Sequence, residues 1–203
     1  DVYKRQACKN VGAFLVHVST DYVFDGERGL YSEDDAPNPV NYYGYTKLLG
    51  EERVKELAGE WCIARTSVVF GWGRESRPNF ATWLLDNLSK GKKVRIVVDQ
   101  VASPTFNTNL AEMLLEVADK KISGVLHTAG ASRVSRYEMA TVLAEVFGFD
   151  KALVEPISSY QLNWLARRPR DSSLNVKKAR RILQTQPLPL KEALIKMSKE
   201  KIL

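Results

Sequence analysis

Phe14-Leu15-Val16-His17-Val18-Ser19-Thr20-Asp21-Tyr22-Val23-Phe24-Asp25-Gly26 is the stretch from which the fold can be read. Phe14 to Val18 is an apolar run of strand length, the pattern of a strand buried on both faces in a parallel sheet. Just upstream, Ala7 to Val11 reads as the end of a helix closed by Gly12. A helix feeding such a strand implies a doubly wound sheet. The hydroxyls of Ser19 and Thr20 leave the strand at its carboxyl end, where open α/β sheets bind ligands, and the chain then turns at Asp25-Gly26.

Working outward, Asp34 to Tyr43 carries two prolines and two asparagines and reads as a loop, followed by helical spacing from Thr46 to Leu57. Trp61 to Phe70 has strand character, Asn79 to Leu88 is helical, and Val94 to Val98 is a further strand. Leu110 to Ala118 reads as an amphipathic helix and Gly124 to Thr128 as a short strand. The alternation favours parallel α/β. Beyond Gly130 come a helix from Ser135 to Phe147 with a serine cap, an irregular stretch from Ile157 to Asn163, and a charged loop from Ala166 to Ser173. Helices at Lys177 to Leu183 and Leu190 to Lys199 complete the chain. The expected fold is the C-terminal part of a doubly wound Rossmann-like parallel sheet with a smaller, mixed substrate-binding lobe. Residues 1–71 and 106–129 are expected to form the first and 72–105 and 130–203 the second.

Composition narrows the function classes. The chain has 203 residues, 44% hydrophobic and 27% charged, a soluble balance. No run of about 18 apolar residues occurs, which argues against a membrane span. Cys8 and Cys62 are widely separated and no Cys-His spacing accompanies them, so neither a disulfide framework nor a zinc site is expected. His17 and His127 likewise lack neighbouring ligands, and no metal is expected. A reducing, cytoplasmic setting follows. The net charge of +6 is spread over helical faces beside glutamates without interleaved aromatics, which argues against nucleic acid. Asp1 to Gln6 shows no capped helix or strand pattern and reads as an extension outside the fold.

Tyr43-Gly44-Tyr45-Thr46-Lys47 carries the chemistry. Tyr43 and Lys47 stand four apart at the opening of a helix and project from one face. A free tyrosine has a pKa of about 10, and a neighbouring ammonium favours its phenolate, so such a phenol can exchange a proton with a substrate oxygen. Thr20 is placed to hydrogen-bond a carbonyl. Equally, Ser19 and Thr20 can satisfy backbone groups in a turn.

Five blocks carry a family resemblance: Ser19-Thr20-Asp21-Tyr22-Val23-Phe24-Asp25-Gly26, residues 39–51 around Tyr43 and Lys47, Arg65-Thr66-Ser67, Asp99-Gln100-Val101-Ala102-Ser103-Pro104-Thr105, and Arg168-Pro169-Arg170-Asp171-Ser172. In this order they resemble the dTDP-4-dehydrorhamnose reductase family of extended short-chain dehydrogenases. The resemblance implies reduction of the 4-keto group of a dTDP-linked deoxysugar by NADPH or NADH, giving dTDP-L-rhamnose for surface polysaccharide. It implies Tyr43 as proton donor, Lys47 as its partner and holder of the nicotinamide ribose, and Thr20 beside the keto oxygen. Ser19 joins Tyr43 and Lys47 on the cofactor side, and Asp21 and Arg168 join Thr20 on the substrate side; a guanidinium such as Arg168 can grip a pyrophosphate with two bonds, and equally can pair with a Glu or Asp on the lobe surface. Dimers are common among such enzymes, although no interface signature is visible here.

Two departures from the family pattern stand out. Val68 follows Arg65-Thr66-Ser67 where relatives usually have Trp, and no strand with a Gly-rich turn for the cofactor pyrophosphate is present. Phe70-Gly71-Trp72-Gly73 is not followed by a helix opening at Arg74 to Pro78. The expectation is therefore a chain matching the later two-thirds of the family domain, with a sheet edge exposed, and inactive by itself. The alternatives are a nucleotide-sugar epimerase or dehydratase of the same superfamily, or a non-catalytic regulatory subunit like that of methionine adenosyltransferase. A dehydratase tends to carry Asp-Glu after this Thr, whereas here Tyr22 follows Asp21.

Overall fold

The computed structural model describes residues 7–8, 10–56, 60–73 and 78–200. The extension read at Asp1 to Gln6 lies outside the described residues. Three parallel strands, β1 (Leu15–Thr20), β2 (Trp61–Thr66) and β7 (Gly124–His127), form one sheet in the order β1-β2-β7. Its register sets Thr20 opposite Thr66 and Arg65 opposite His127, so the carboxyl ends of all three strands meet at one edge.

Helix α1 (Tyr42–Lys55) follows β1. It begins four residues before the Thr46 start read from sequence. Asn41 accepts a hydrogen bond from the Gly44 N–H at 2.8 Å, and this cap lets the chain turn helical at once. The single strand expected from Trp61 to Phe70 is broken into β2 and β3 (Val69–Phe70), because Val68 adopts φ +42, a left-handed conformation that ends any strand. Helix α2 (Phe80–Ser89) is capped by Asn79, and β4 (Val94–Val97) follows. Short strands β5 (Val101–Ala102) and β6 (Thr105–Phe106) lead into α3 (Asn107–Asp119).

After β7, strand β8 (Val134–Ser135) pairs antiparallel with β5 and runs directly into α4 (Arg136–Phe147). There Ser135 and Glu138 form a reciprocal capping box, and Gly148 ends the helix at φ +75. Strand β9 (Val154–Ile157) pairs parallel with β4. It is missing from the sequence reading, which begins its irregular stretch at Ile157; four residues containing Pro156 carry too little alternation to identify an edge strand. Helices α5 (Lys177–Ile182) and α6 (Leu190–Lys199) complete the described chain. The observed class is α/β with parallel strands, as expected.

Apolar side chains gather in separate cores. One brings together Leu84, Leu88, Ile96, Met139, Leu143, Leu194 and Met197 from α2, β4, α4 and α6. Another, under the three-stranded sheet, contains Cys62, Met113, Val117 and Leu126. Ala179 and Leu183 pack into this second core, although sequence groups them with residues 130–203. They are carried there by the segment before them. Asp171 N–H donates to Gly26 O at 3.0 Å, Ser172 N–H to Val101 O at 3.1 Å and Asn175 N–H to Tyr31 O at 2.8 Å, so this segment is stitched to both halves of the molecule. What reads as a charged loop is, from Asp171 to Ser173, buried.

Among charged groups, Glu51 is the deepest. Its carboxylate is fully buried on α1 and accepts from Arg65 Nε at 2.9 Å, Arg65 Nη2 at 2.7 Å and Ser19 Oγ at 2.5 Å. Removing one partner of such a pair strands the other in a dry interior. Glu51→Ala should therefore cost about 3–5 kcal/mol of stability, read as a lowered urea midpoint. A change under about 1 kcal/mol would show that the site admits water.

His127 makes a second prediction. Burial first, then the Arg65 cation, holds its imidazole down to about 3, so the folded protein refuses a proton that the unfolded chain accepts near 6.5. Stability is complete above about pH 6.5 and is lost as pH falls below it, by up to about 1.4 kcal/mol per pH unit from this group. In His127→Gln the urea midpoint should depend less steeply on pH between about 4.5 and 6.5.

Candidate active site

The carboxyl edge of β1 and the first two turns of α1 form the site. Lys47 Nζ donates to Val18 O at 2.7 Å, anchoring the ammonium at the end of β1. Burial pulls its pKa below the ordinary lysine value, with the Glu51 carboxylate opposing. Tyr43 stands one turn earlier on the same helix and is 55% exposed. Its ring meets Tyr22 edge-on at 5.9 Å between centroids. Tyr42 and Tyr45 pair with each other instead.

Thr20 is nearly buried at the strand end, and its Oγ1 accepts from the Tyr22 N–H at 3.2 Å and donates to Asp21 Oδ1 at 3.0 Å. Its hydroxyl thus does the local turn work that the sequence left open, at a position beside the carboxyl edge. Ser19 faces away from this edge, toward Glu51. Asp21 is also turned inward. It is 2% exposed, and its Oδ2 accepts from Ser67 Oγ at 2.8 Å and Ser172 Oγ at 2.5 Å. Burial raises its pKa, opposed by the hydrogen bonds from Ser172, Ser67 and Thr20. Tyr43, Lys47 and Thr20 are therefore gathered at one edge, with Ser19 and Asp21 beneath it.

Arg168 lies on an exposed loop with its guanidinium over the Trp164 ring, 4.6 Å from the centroid. It borders two adjoining cavities. One, of about 620 Å³, is lined by Asp25, Tyr160, Arg167 and Arg170; the other, of about 300 Å³, by Trp83, Gln100, Arg136 and Trp164. Gln100 links the second to the edge, because its Nε2 donates to Tyr22 Oη at 3.1 Å. Tyr22, Gln100 and Arg136 carry no role in the sequence reading. Tyr22 and Gln100 stand within quoted blocks, and their position there is the only local signal; Arg136 reads as one basic residue among many at a helix start. Among the described residues no cluster of metal-ligating side chains occurs, and no helix is long and apolar enough to cross a membrane.

Residues 5–202 match the family model described as RmlD substrate binding domain. The chain is similar to dTDP-4-dehydrorhamnose reductase of Mycobacterium tuberculosis, with 39% identity over 177 residues covering 84% of this chain and 57% of that protein. It is also similar to methionine adenosyltransferase 2 subunit beta of Bos taurus, with 33% identity over 171 residues, 81% of this chain and 51% of that protein. The chain thus spans just over half the length of the curated relatives it matches. A crystal structure of dTDP-4-dehydrorhamnose reductase from Bacillus anthracis in complex with NADP superimposes with a TM-score of 0.91 at 30% identity, covering 98% of this chain and 70% of that one.

Gly44 tests how tightly the edge is assembled. A Cβ added there would lie 2.1 Å from Tyr22 O and 2.9 Å from Pro39 Cβ, so only glycine lets α1 rest on the turn after β1. Gly→Ala within a helix ordinarily stabilises by up to about 1 kcal/mol. Here Gly44→Ala should instead destabilise, by about 2 kcal/mol or more, in thermal or urea unfolding. A stabilised variant would refute the close approach.

Proposed function

This chain belongs to the RmlD substrate binding domain family, and on that premise we propose that it carries the proton-donating pair and substrate lobe of an NAD(P)H-dependent nucleotide-sugar reductase. The substrate is a dTDP-linked 4-keto deoxysugar, dTDP-4-dehydrorhamnose, and the product dTDP-L-rhamnose serves surface polysaccharide synthesis in the cytoplasm. The observation that carries this reading is the seating of Lys47 on Val18 O, one turn from a half-exposed Tyr43 at the carboxyl edge of β1.

An ammonium has three donors, and the bond to Val18 O uses one of them. The other two suit ribose hydroxyls, which supports Lys47, with Tyr43, as the cofactor-side residues; Ser19 contributes beneath them by fixing Glu51 and hence the helix. The nicotinamide cofactor, when bound, supplies a hydride. Tyr43 gives its phenolic proton to the developing C4 alkoxide, and the nearby Lys47 cation stabilises the phenolate left behind. Thr20 swings its hydroxyl proton from Asp21 to the same oxygen, so Asp21 bears on the substrate through Thr20. Arg168 meets the pyrophosphate. In this assignment residues 1–71 and 106–129 form the cofactor side, and 72–105 and 130–203 the substrate side.

The likeness to a methionine adenosyltransferase subunit supports a second reading, as a protein that acts through contacts alone. A phenol half-exposed above an anchored ammonium favours the reductase, since a contact surface has no use for that arrangement. NADPH fluorescence and dTDP titrations of this chain, and NADPH oxidation with dTDP-4-dehydrorhamnose by a polypeptide that also carries the family's Gly-rich cofactor turn, separate the two. In that polypeptide Tyr43→Phe should lower kcat by about 10²–10⁴-fold with dTDP affinity changed less than about twofold. Unchanged turnover would remove Tyr43 from the mechanism, and wild-type protein that binds neither ligand would overturn the reductase reading.

A further inference from the structure

Arg136 occupies a place that a solvated surface arginine does not. It is the first residue of α4, delivered there by β8, and its backbone N–H donates to Gln100 O at 3.0 Å. Its guanidinium lies over the Phe80 ring, 5.2 Å from the centroid, and borders the 300 Å³ cavity. Among the described residues no carboxylate stands within ion-pair distance of it. Asp21, the acidic group that bears on it electrostatically, is already satisfied by three hydroxyls. Burial pushes the guanidinium pKa down, and the Arg168 cation adds to that, while Tyr22 and Asp21 oppose.

Two guanidiniums therefore converge on one small cavity from unrelated segments, and each has donors to spare. Like charges brought together and partly withdrawn from water repel unless an anion is shared between them. The remaining walls narrow the chemistry. Trp83, Phe80 and Trp164 supply flat aromatic surface on the same cavity, so its occupant has an anionic part for the arginines and a ring for the aromatics.

We propose that Arg136 is a specificity-determining residue that grips the diphosphate of a nucleoside-diphosphate sugar from the fixed, helical wall of the cavity, opposite Arg168 on its loop. This rests on the nucleotide-sugar reading above and adds a residue to it. The placement fits the reaction. Arg136 is tied to Gln100, Gln100 to Tyr22 Oη, and Tyr22 to the Tyr43 ring, so a diphosphate held by Arg136 sits a short chain of contacts from the proton donor. Because Arg136 is held by a helix and Arg168 by an exposed loop, Arg136 fixes where the diphosphate lies.

The test measures binding of dTDP, dTMP and UDP by tryptophan quenching in wild-type protein, Arg136→Gln, Arg136→Lys and Lys90→Gln. Wild type should prefer dTDP over dTMP, and Arg136→Gln should weaken dTDP by about 10–100-fold while leaving dTMP nearly unchanged, collapsing the preference. Arg136→Lys keeps the charge without the two-pronged grip and should fall between the two, which guards against a variant that simply misfolds. Lys90, exposed after α2 and paired with Asp86 at 2.7 Å, lines neither cavity; Lys90→Gln should change affinity less than about threefold. If wild type binds dTDP and a folded Arg136→Gln, with an unaltered unfolding midpoint, binds it equally well, this proposal alone falls. If wild type binds no nucleoside diphosphate, the nucleotide-sugar reading falls and takes this one with it.

Discussion

A buried carboxylate organises this molecule. Glu51 sits on the inner face of α1, two turns after Tyr43 and one after Lys47, and is held by Arg65 from β2 and Ser19 from β1. A charge taken this far from water is tolerated only when its partners are fixed and well aligned, so the interaction permits one rotation of α1 about its axis and one depth against the sheet. Lys47 then reaches the Val18 carbonyl, and Tyr43 is left at the rim. The placement of Tyr43 and Lys47 at the rim is thus a surface consequence of a polar contact in the interior.

Asp21 plays a comparable part between the two halves of the chain. It takes hydrogen bonds from Thr20 beside it, from Ser67 after β2 and from Ser172 in the segment stitched across both lobes. These three hydroxyls come from residues far apart in sequence, and none carries a charge. Burial therefore still raises the Asp21 pKa, with the Arg136 cation at the cavity wall adding a weaker opposing effect.

The apolar run from Phe14 to Val18 could be recognised as a strand by its apolar pattern, although the structure leaves β1 at the edge of its sheet with Val18 41% exposed, not buried on both faces. The helices α4 and α6 could be recognised because their apolar spacing runs over about three turns. Asn41 explains the miss at α1. Its capping bond to Gly44 extends the helix through a Tyr-Tyr-Gly-Tyr segment whose own spacing shows no amphipathic face. Strand β9 went unread since a short edge strand with a proline is defined by its partner β4 and not by its own residues. Val68 broke an apparently continuous strand for a reason no local propensity contains, as a β-branched residue at φ +42 is held there only by its surroundings.

Tyr43 and Lys47 could be paired from sequence, because four residues on a helix always share a face and the blocks around them stand in a recognisable order. Sequence alone therefore determined the fold class, the family and the nominated proton donor, all properties set by local periodicity or by motif. Tertiary structure decided which way each neighbouring side chain faces. Ser19 and Asp21, adjacent to Thr20 in the chain, are turned into the interior, whereas Arg136, far from any motif, is brought to the cavity. The physical reason is that buried polar groups must find partners, and those partners arrive from distant segments only when the chain has closed around them.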